Sequence, residues 1–365
     1  MAVTIDSLLK ALVDKDASDL HLKAGQPPIM RVRGDLIRVP DLAISVERHT
    51  EMLLGLLNEE RRMRLDEFKE VDLSYNLPGV SRFRVNMFWQ RGHIGAVFRV
   101  IPFKIKSIDQ LGMPPVCKRV AMMPRGLILV TGPTGSGKST SLAAMIDHIN
   151  TNKRAHVMTI EDPIEYVHQD KISIINQREQ ATDTHSFSDA LRHVMRQNPD
   201  IILVGEMRDL ETIQLAITAA ETGHLVLSTL HTVDAAQTID RIVDVFAPEQ
   251  HAQIRTQLSV TLQAVISQTL IPTMDGKGRV AAFEVMVVTP SIRTLIRDGK
   301  THQLYLDIQT GGDLGMQTLD GSLLKLVKEG RIDYEHALAK CSNPQDFHRR
   351  AVNAGLVEVT PSGVR

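Results

Sequence analysis

The 365-residue chain is poor in several things, and each shortage excludes a class of protein. It has two cysteines, Cys117 and Cys341, too few for a disulfide framework or for a four-cysteine zinc site. A reducing compartment, the cytoplasm, is the expected address. Aromatic residues make up only 4%, which leaves little surface for stacking bases. Excess charge is missing too, with 42 lysines and arginines against 43 aspartates and glutamates. That balance argues against a protein held on nucleic acid by bulk charge, so no stable nucleic-acid binding is expected. No apolar run approaches the ~18 residues of a membrane span. The start of the chain lacks the basic-then-apolar layout of a secretion signal. No membrane-spanning segment is therefore expected.

What is present is an ordinary globular core fraction, 43% hydrophobic, in a chain long enough for two domains. Residues 1–112 read as an α+β module. Leu8, Leu9, Leu12 and Val13 make a helical stripe after Asp6, a candidate cap. Short strands are expected at Asp19–Leu22, Ile29–Val32 and Leu36–Val39, and one long helix from Val46 to about Asp66. Residues 81–89 alternate with period two: Phe83, Val85, Met87 and Trp89 face one way, Arg82, Arg84 and Asn86 the other. Gly95–Ile101, which carries Arg99, is the expected antiparallel partner. The pattern breaks at residues 113–119, the expected linker. Residues 120–289 alternate apolar strands with amphipathic helices, the signature of a parallel sheet flanked by helices. Its strands are expected at Leu127–Thr131, His156–Ile160, Ile201–Val204 and Leu225–Thr229. Residues 290–365 read as a helical C-terminal region.

Gly132-Pro133-Thr134-Gly135-Ser136-Gly137-Lys138-Ser139-Thr140 satisfies the phosphate-loop pattern G-x-x-x-x-G-K-S/T. Its glycines permit the tight curl that aims backbone N–H groups at an anion. Lys138 would reach the β- and γ-phosphates and the Ser139 hydroxyl would hold Mg²⁺. The loop sits between a buried strand and a helix start, as it must.

Three further segments complete the chemistry. Glu206 follows the apolar run 201–204 and so emerges beside the loop. It would bind Mg²⁺ through water or orient the attacking water; pairing with Arg208 is the plainer alternative. Glu161, Asp162 and Glu165 cluster around Pro163. Glu165 is the first choice for general base and Glu161 the second, a solvated acidic loop being the alternative. His224 and His231 lie at opposite ends of one strand. His231 would sense the γ-phosphate, whereas His224 needs a neighbouring element to bring it there; either is otherwise structural. Arg82, Arg84 and Arg99 would neutralise charge in the transition state, or form an ordinary polar strand face.

In this order, Gly132–Thr140, Thr159–Tyr166, Gly205–Asp209 and Gly223–Thr232 resemble the Walker A, Asp-box, Walker B and His-box motifs of secretion-superfamily ATPases. Within that superfamily the chain is similar to the retraction ATPases of type IV pili. The resemblance implies a PAS-like α+β N-terminal domain and a RecA-like P-loop domain with a parallel-rich sheet, an α/β fold overall. It further implies ATP and Mg²⁺ as cofactors, ATP seated between the domains, and a homohexamer acting on the inner-membrane pilus platform. Glu165 and Glu206 would carry hydrolysis, and the three arginines would contact ATP. Pilus-assembly and type II secretion ATPases usually carry a four-cysteine zinc insertion, absent here. Ser291-Ile292-Arg293-Thr294-Leu295-Ile296 stands where retraction enzymes have Ala-Ile-Arg-Asn-Leu-Ile. The two changes leave open an accessory paralogue that works beside another retraction or assembly ATPase.

Overall fold

The computed structural model describes residues 3–32, 34–39, 44–101 and 105–357. The chain divides into two compact units, Met1–Lys104 with Glu165–Val167, and Ile105–Ile164 with His168–Arg365.

The first unit runs α1 (Ile5–Asp14), β1 (Ala17–Leu22), β2 (Ile29–Val32), β3 (Asp35–Arg38), α2 (Val46–Leu54), α3 (Glu59–Phe68), β4 (Glu70–Leu77), β5 (Ser81–Gln90) and β6 (His93–Ile101). Its strands form an antiparallel sheet in the order β3-β2-β1-β6-β5-β4. Alternation along β5 buries Phe83, Val85 and Met87 in a core shared with Leu8, Leu9 and Leu12 of α1 and Leu53 of α2. Trp89 is 37% exposed, because the apolar face ends where the strand approaches the β5–β6 turn. Two local expectations are corrected. The cap of α1 is Thr4, whose side chain accepts from Ser7 N while Ser7 Oγ bonds back to Thr4. The long helix is two, because Gly55 closes α2 and Asn58 caps α3 through Arg61 N.

The second unit contains α4 (Val116–Ala121), β7 (Gly126–Thr131), α5 (Lys138–Asn152), β8 (His156–Glu161), β9 (Ile174–Glu179), α6 (Phe187–Val194), β10 (Ile201–Val204), α7 (Leu210–Glu221), β11 (Leu225–Leu230), α8 (Ala235–Asp244), α9 (His251–Thr261), β12 (Leu262–Pro272) and β13 (Arg279–Val287). Helices α10 (Pro290–Arg297), α11 (Leu304–Thr310), α12 (Leu319–Lys328), α13 (Tyr334–Leu338) and α14 (Pro344–Asn353) follow, so the C-terminal region is helical as expected. The sheet order is β13-β12-β7-β11-β10-β8-β9, parallel throughout except for β13. Every residue of β7, β10 and β11 is buried, which requires cover on both faces of the sheet. Strands β9, β12 and β13 lie beyond the four that the sequence pattern identifies. A smaller core joins Ile271 and Val280, at the ends of β12 and β13, to Leu323, Ile332, Ala337 and Phe347 of the C-terminal region.

Residues 113–119 are not a linker. Met113, Val116 and Cys117 are buried in the main core of the second unit, and Val116 opens α4. Their Gly-Met-Pro-Pro start resembles a hinge in composition, but the apolar residues after it have a core to enter.

Candidate active site

Strand order decides what can meet at the carboxyl edge of the second sheet. β7, β11, β10 and β8 are consecutive, and neighbouring strands lie about 4.8 Å apart. The phosphate loop leaves β7, His231 follows β11, Glu206 lies just past β10, and Glu161 ends β8. Leu230 is level with Thr131, so His231 comes level with the first glycine of the loop.

The loop has the conformation its sequence calls for. Gly132 and Gly137 have φ of 141° and 90°, values that suit glycine. A Cβ on Gly132 would collide with the Gln268 carbonyl and crowd Ser136 Oγ. Helix α5 starts at Lys138, and its first intrahelical bond runs from Ser141 N to Gly137 O. The amides of Lys138, Ser139 and Thr140 thus lie ahead of the helical ladder and point out of its positive end. Pro133, Thr134 and Gly135 form the exposed outer bend, while Ser136 is buried. Lys138 Nζ donates to Gly132 O (2.8 Å) and Pro133 O (3.2 Å).

His231 links the loop to the acid. Its Nε2 is 2.9 Å from Glu206 Oε1, and its Nδ1 lies 3.4 Å from Lys138 Nζ and 3.5 Å from Thr134 Oγ1. With Nε2 protonated toward the carboxylate, Nδ1 is the acceptor on the loop side. Glu206 Oε2 accepts from Arg208 Nη2 at 2.8 Å, so the pairing set out as the plainer alternative coexists with the site geometry. Burial pushes the Glu206 carboxyl up, but the hydrogen bonds from Arg208 and His231 outweigh it and hold it below the usual glutamate range. The group is an anion at neutral pH, able to attract a cation or orient a water.

Among the described residues, no cluster of three or more His, Cys, Asp or Glu can hold a metal unaided. Mg²⁺ carried in on phosphates takes one or two protein ligands and keeps its waters. Ser139 on the first turn of α5 and the ionised Glu206 could serve as such ligands.

Glu161 Oε1 accepts from Thr159 Oγ1 (2.6 Å) and Gln177 Nε2 (3.1 Å), which ties it toward β9. Glu165 is exposed and falls in the three-residue segment that packs with the first unit. Glu179, to which the sequence assigns no role, is buried and accepts from Ile164 N, pinning the acidic loop. His224 is not brought to this site. Its Nδ1 bonds Ala219 O at the end of α7, and the length of β11 sets it roughly 20 Å from His231.

On the first unit, Arg84 and Arg99 are directly paired across β5 and β6, and Arg99 is opposite Asp19 of β1. Arg99 Nε donates to Asp19 Oδ1 at 2.8 Å, with Arg31 at 3.6 Å on the other oxygen. Arg84 is 4.0 Å from Asp72. Arg82 lies two residues along the same face. These arginines form one basic row partly offset by aspartates. In residues 291–296 the positions that match the retraction pattern are structural. Ile292 and Ile296 are buried, and Arg293 Nη1 caps α9 at Ser259 O and Val260 O. Ser291 and Thr294, which differ, are exposed.

Residues 2–338 match the family model described as type II/IV secretion system protein. The chain belongs to this family. It is 55% identical over 343 residues to the type IV pilus retractation ATPase PilT of Pseudomonas aeruginosa, covering 94% of this chain and 99% of that one. Against the type IV pilus ATPase PilU of the same bacterium identity is 43%, covering 94% and 90%. A crystal structure of the pilus retraction motor PilT with bound ADP superposes with a TM-score of 0.89 at 46% identity, covering 95% of this chain and all of that one. The two-unit α/β architecture is therefore that of the pilus and secretion ATPases.

Proposed function

We propose that this chain is the ATP-hydrolysing motor of type IV pilus retraction. The observation that carries the ATPase reading is the continuous contact from Lys138 through His231 to Glu206. It sets the loop lysine, a histidine and an ionised acid on one edge. In this reading the helix-end amides and Lys138 bind the triphosphate, and Ser139 and Glu206 would hold Mg²⁺. Glu206 and Glu165 handle the attacking water, with Glu161 the second candidate for general base. The metal would supply charge neutralisation at the phosphates; His231 holds Glu206 in register and reports the terminal phosphate to it.

The retraction assignment rests on the greater identity to PilT than to PilU. It entails a cytoplasmic homohexamer that acts on the inner-membrane pilus platform, with Arg82, Arg84 and Arg99 as nucleotide contacts. Motion follows only if ATP favours one arrangement of the ring over another. The exposed changes Ser291 and Thr294 favour a second reading, an accessory motor that works beside a principal one. Deleting the gene separates these outcomes. Hyperpiliated, non-twitching cells are expected for the principal motor and near-normal twitching for an accessory one; bald cells would overturn both. Purified protein that releases no phosphate from Mg·ATP would overturn the enzyme assignment.

A further inference from the structure

Gln268 lies on β12, on the far side of β7 from the catalytic acids. The register puts Ser267 level with Thr131, the last residue before the phosphate loop, and Thr131 Oγ1 donates to Ser267 Oγ at 2.8 Å. Gln268 is 3% exposed, and both ends of its carboxamide are engaged. Nε2 donates to Ser136 O at 2.6 Å, inside the loop. Oε1 accepts from Ser141 Oγ at 2.7 Å, on the first turn of α5. The Gln268 backbone also fills the space below Gly132, and its Nε2 would stand 3.2 Å from a Cβ on Gly137.

The loop-side bond fixes a direction as well as a distance. A trans peptide points its C=O and the following N–H to opposite sides. Holding Ser136 O against β12 therefore aims the Gly137 N–H away from β12. An amide so aimed can serve an anion without reorganisation when the ligand arrives. A carboxamide suits this task because it carries a donor and an acceptor on one rigid plane. Glutamate lacks the donor and methionine lacks both. The Ser141 bond tells the oxygen end from the nitrogen end and keeps the donor turned to the loop.

We infer that Gln268 is a positioning residue for nucleotide binding: its carboxamide clamps the Ser136–Gly137 peptide so that the loop is preformed for phosphate. This rests on the nucleotide-binding reading above and adds a specific determinant of affinity to it.

The test is ADP calorimetry, thermal melting and steady-state ATP hydrolysis on the full chain, comparing Gln268→Met, Gln268→Glu and Ser141→Ala. Both Gln268 variants are expected to weaken ADP about tenfold and to raise KM for ATP similarly, with kcat within about twofold. Ser141→Ala, a small change that preserves folding, is expected to weaken ADP about threefold. ADP affinities equal to wild type in folded variants would overturn the inference, as would kcat and affinity falling together with the folded fraction. If the Gln268 variants do not fold, Ser141→Ala decides: unchanged ADP affinity overturns the clamp. A wild-type chain that binds no ADP would instead sink the nucleotide reading itself.

Discussion

The two sheets place their polar chemistry in opposite ways. The antiparallel sheet of the first unit packs one face on α1 and α2 and can carry charge along the other. There Arg31, Asp19, Arg99 and Arg84 stand side by side across four strands. The second sheet has central strands buried on both faces and no such freedom. The charged groups of these central strands and of β8 stand at or beyond the strand ends, and strand order decides which of them meet. A polar residue on the first sheet is thus one member of a broad surface. On the second it has a point address, and moving it by one strand spacing removes it from the reaction.

The largest effects should come from that edge. Lys138→Ala is expected to weaken ADP and ATP at least ~100-fold by calorimetry, since a charge-assisted contact to phosphate is lost. Glu206→Gln should keep ADP affinity within about threefold while phosphate release falls roughly 100- to 1,000-fold. Normal turnover in that variant would remove Glu206 from the chemistry. The two histidines of β11 sharpen the point within one strand. His231→Ala should lower turnover about tenfold, whereas His224→Ala should leave turnover within about twofold. Equal losses in turnover would mean that strand ends do not matter as argued.

Smaller effects probe polar groups away from the edge. Glu284 of β13 is buried and accepts from Ala235 N at the start of α8. Burial pushes its carboxyl up from the ordinary 4.5 to about 7. Its contribution to stability is therefore fully present below pH 4.5 and lost as the pH rises through about 7. Glu284→Gln should flatten the fall of Tm between about pH 5 and pH 8; an unchanged slope would refute this. On the open face of the first sheet, burial raises the Asp19 carboxyl, but the Arg99 and Ser18 hydrogen bonds outweigh it and hold it below its ordinary 3.8. Its stabilisation is present above that value and disappears as the pH falls through the lowered pKa. Asp19→Asn should cost about 2 °C in Tm at pH 7 and nothing once the pH has fallen below the lowered pKa, by differential melting.

What the sequence made legible follows the same physics. The phosphate loop and β7, β8, β10 and β11 were readable because a fully buried parallel strand is a continuous apolar word and the loop is a contiguous one. Strand β9 was not, since an edge strand reading Ile174-Ile175-Asn176-Gln177-Arg178-Glu179 needs little apolar content. Strand β12 escaped for another reason. Helix α9 ends at Thr261 and β12 begins at Leu262 with no glycine or proline between them. Residues 113–119 misled by their prolines, though their apolar side chains belong to a core. The Gln268 clamp spans 132 positions of sequence, and nothing local to either end announces it. Arg208 and Glu206, two apart, could be paired on paper. That His231 would complete the set required knowing that β11 lies between β7 and β10.

Strand β12 also has mechanical meaning. Gln268 under the loop and Ile271 in the C-terminal core are three residues apart on one extended segment, about 10 Å, and β13 pairs with that segment along its whole length. Tension applied to the C-terminal helices would run down a nearly inextensible tie to the place where phosphate is held. A motor built this way would feel its load at the nucleotide.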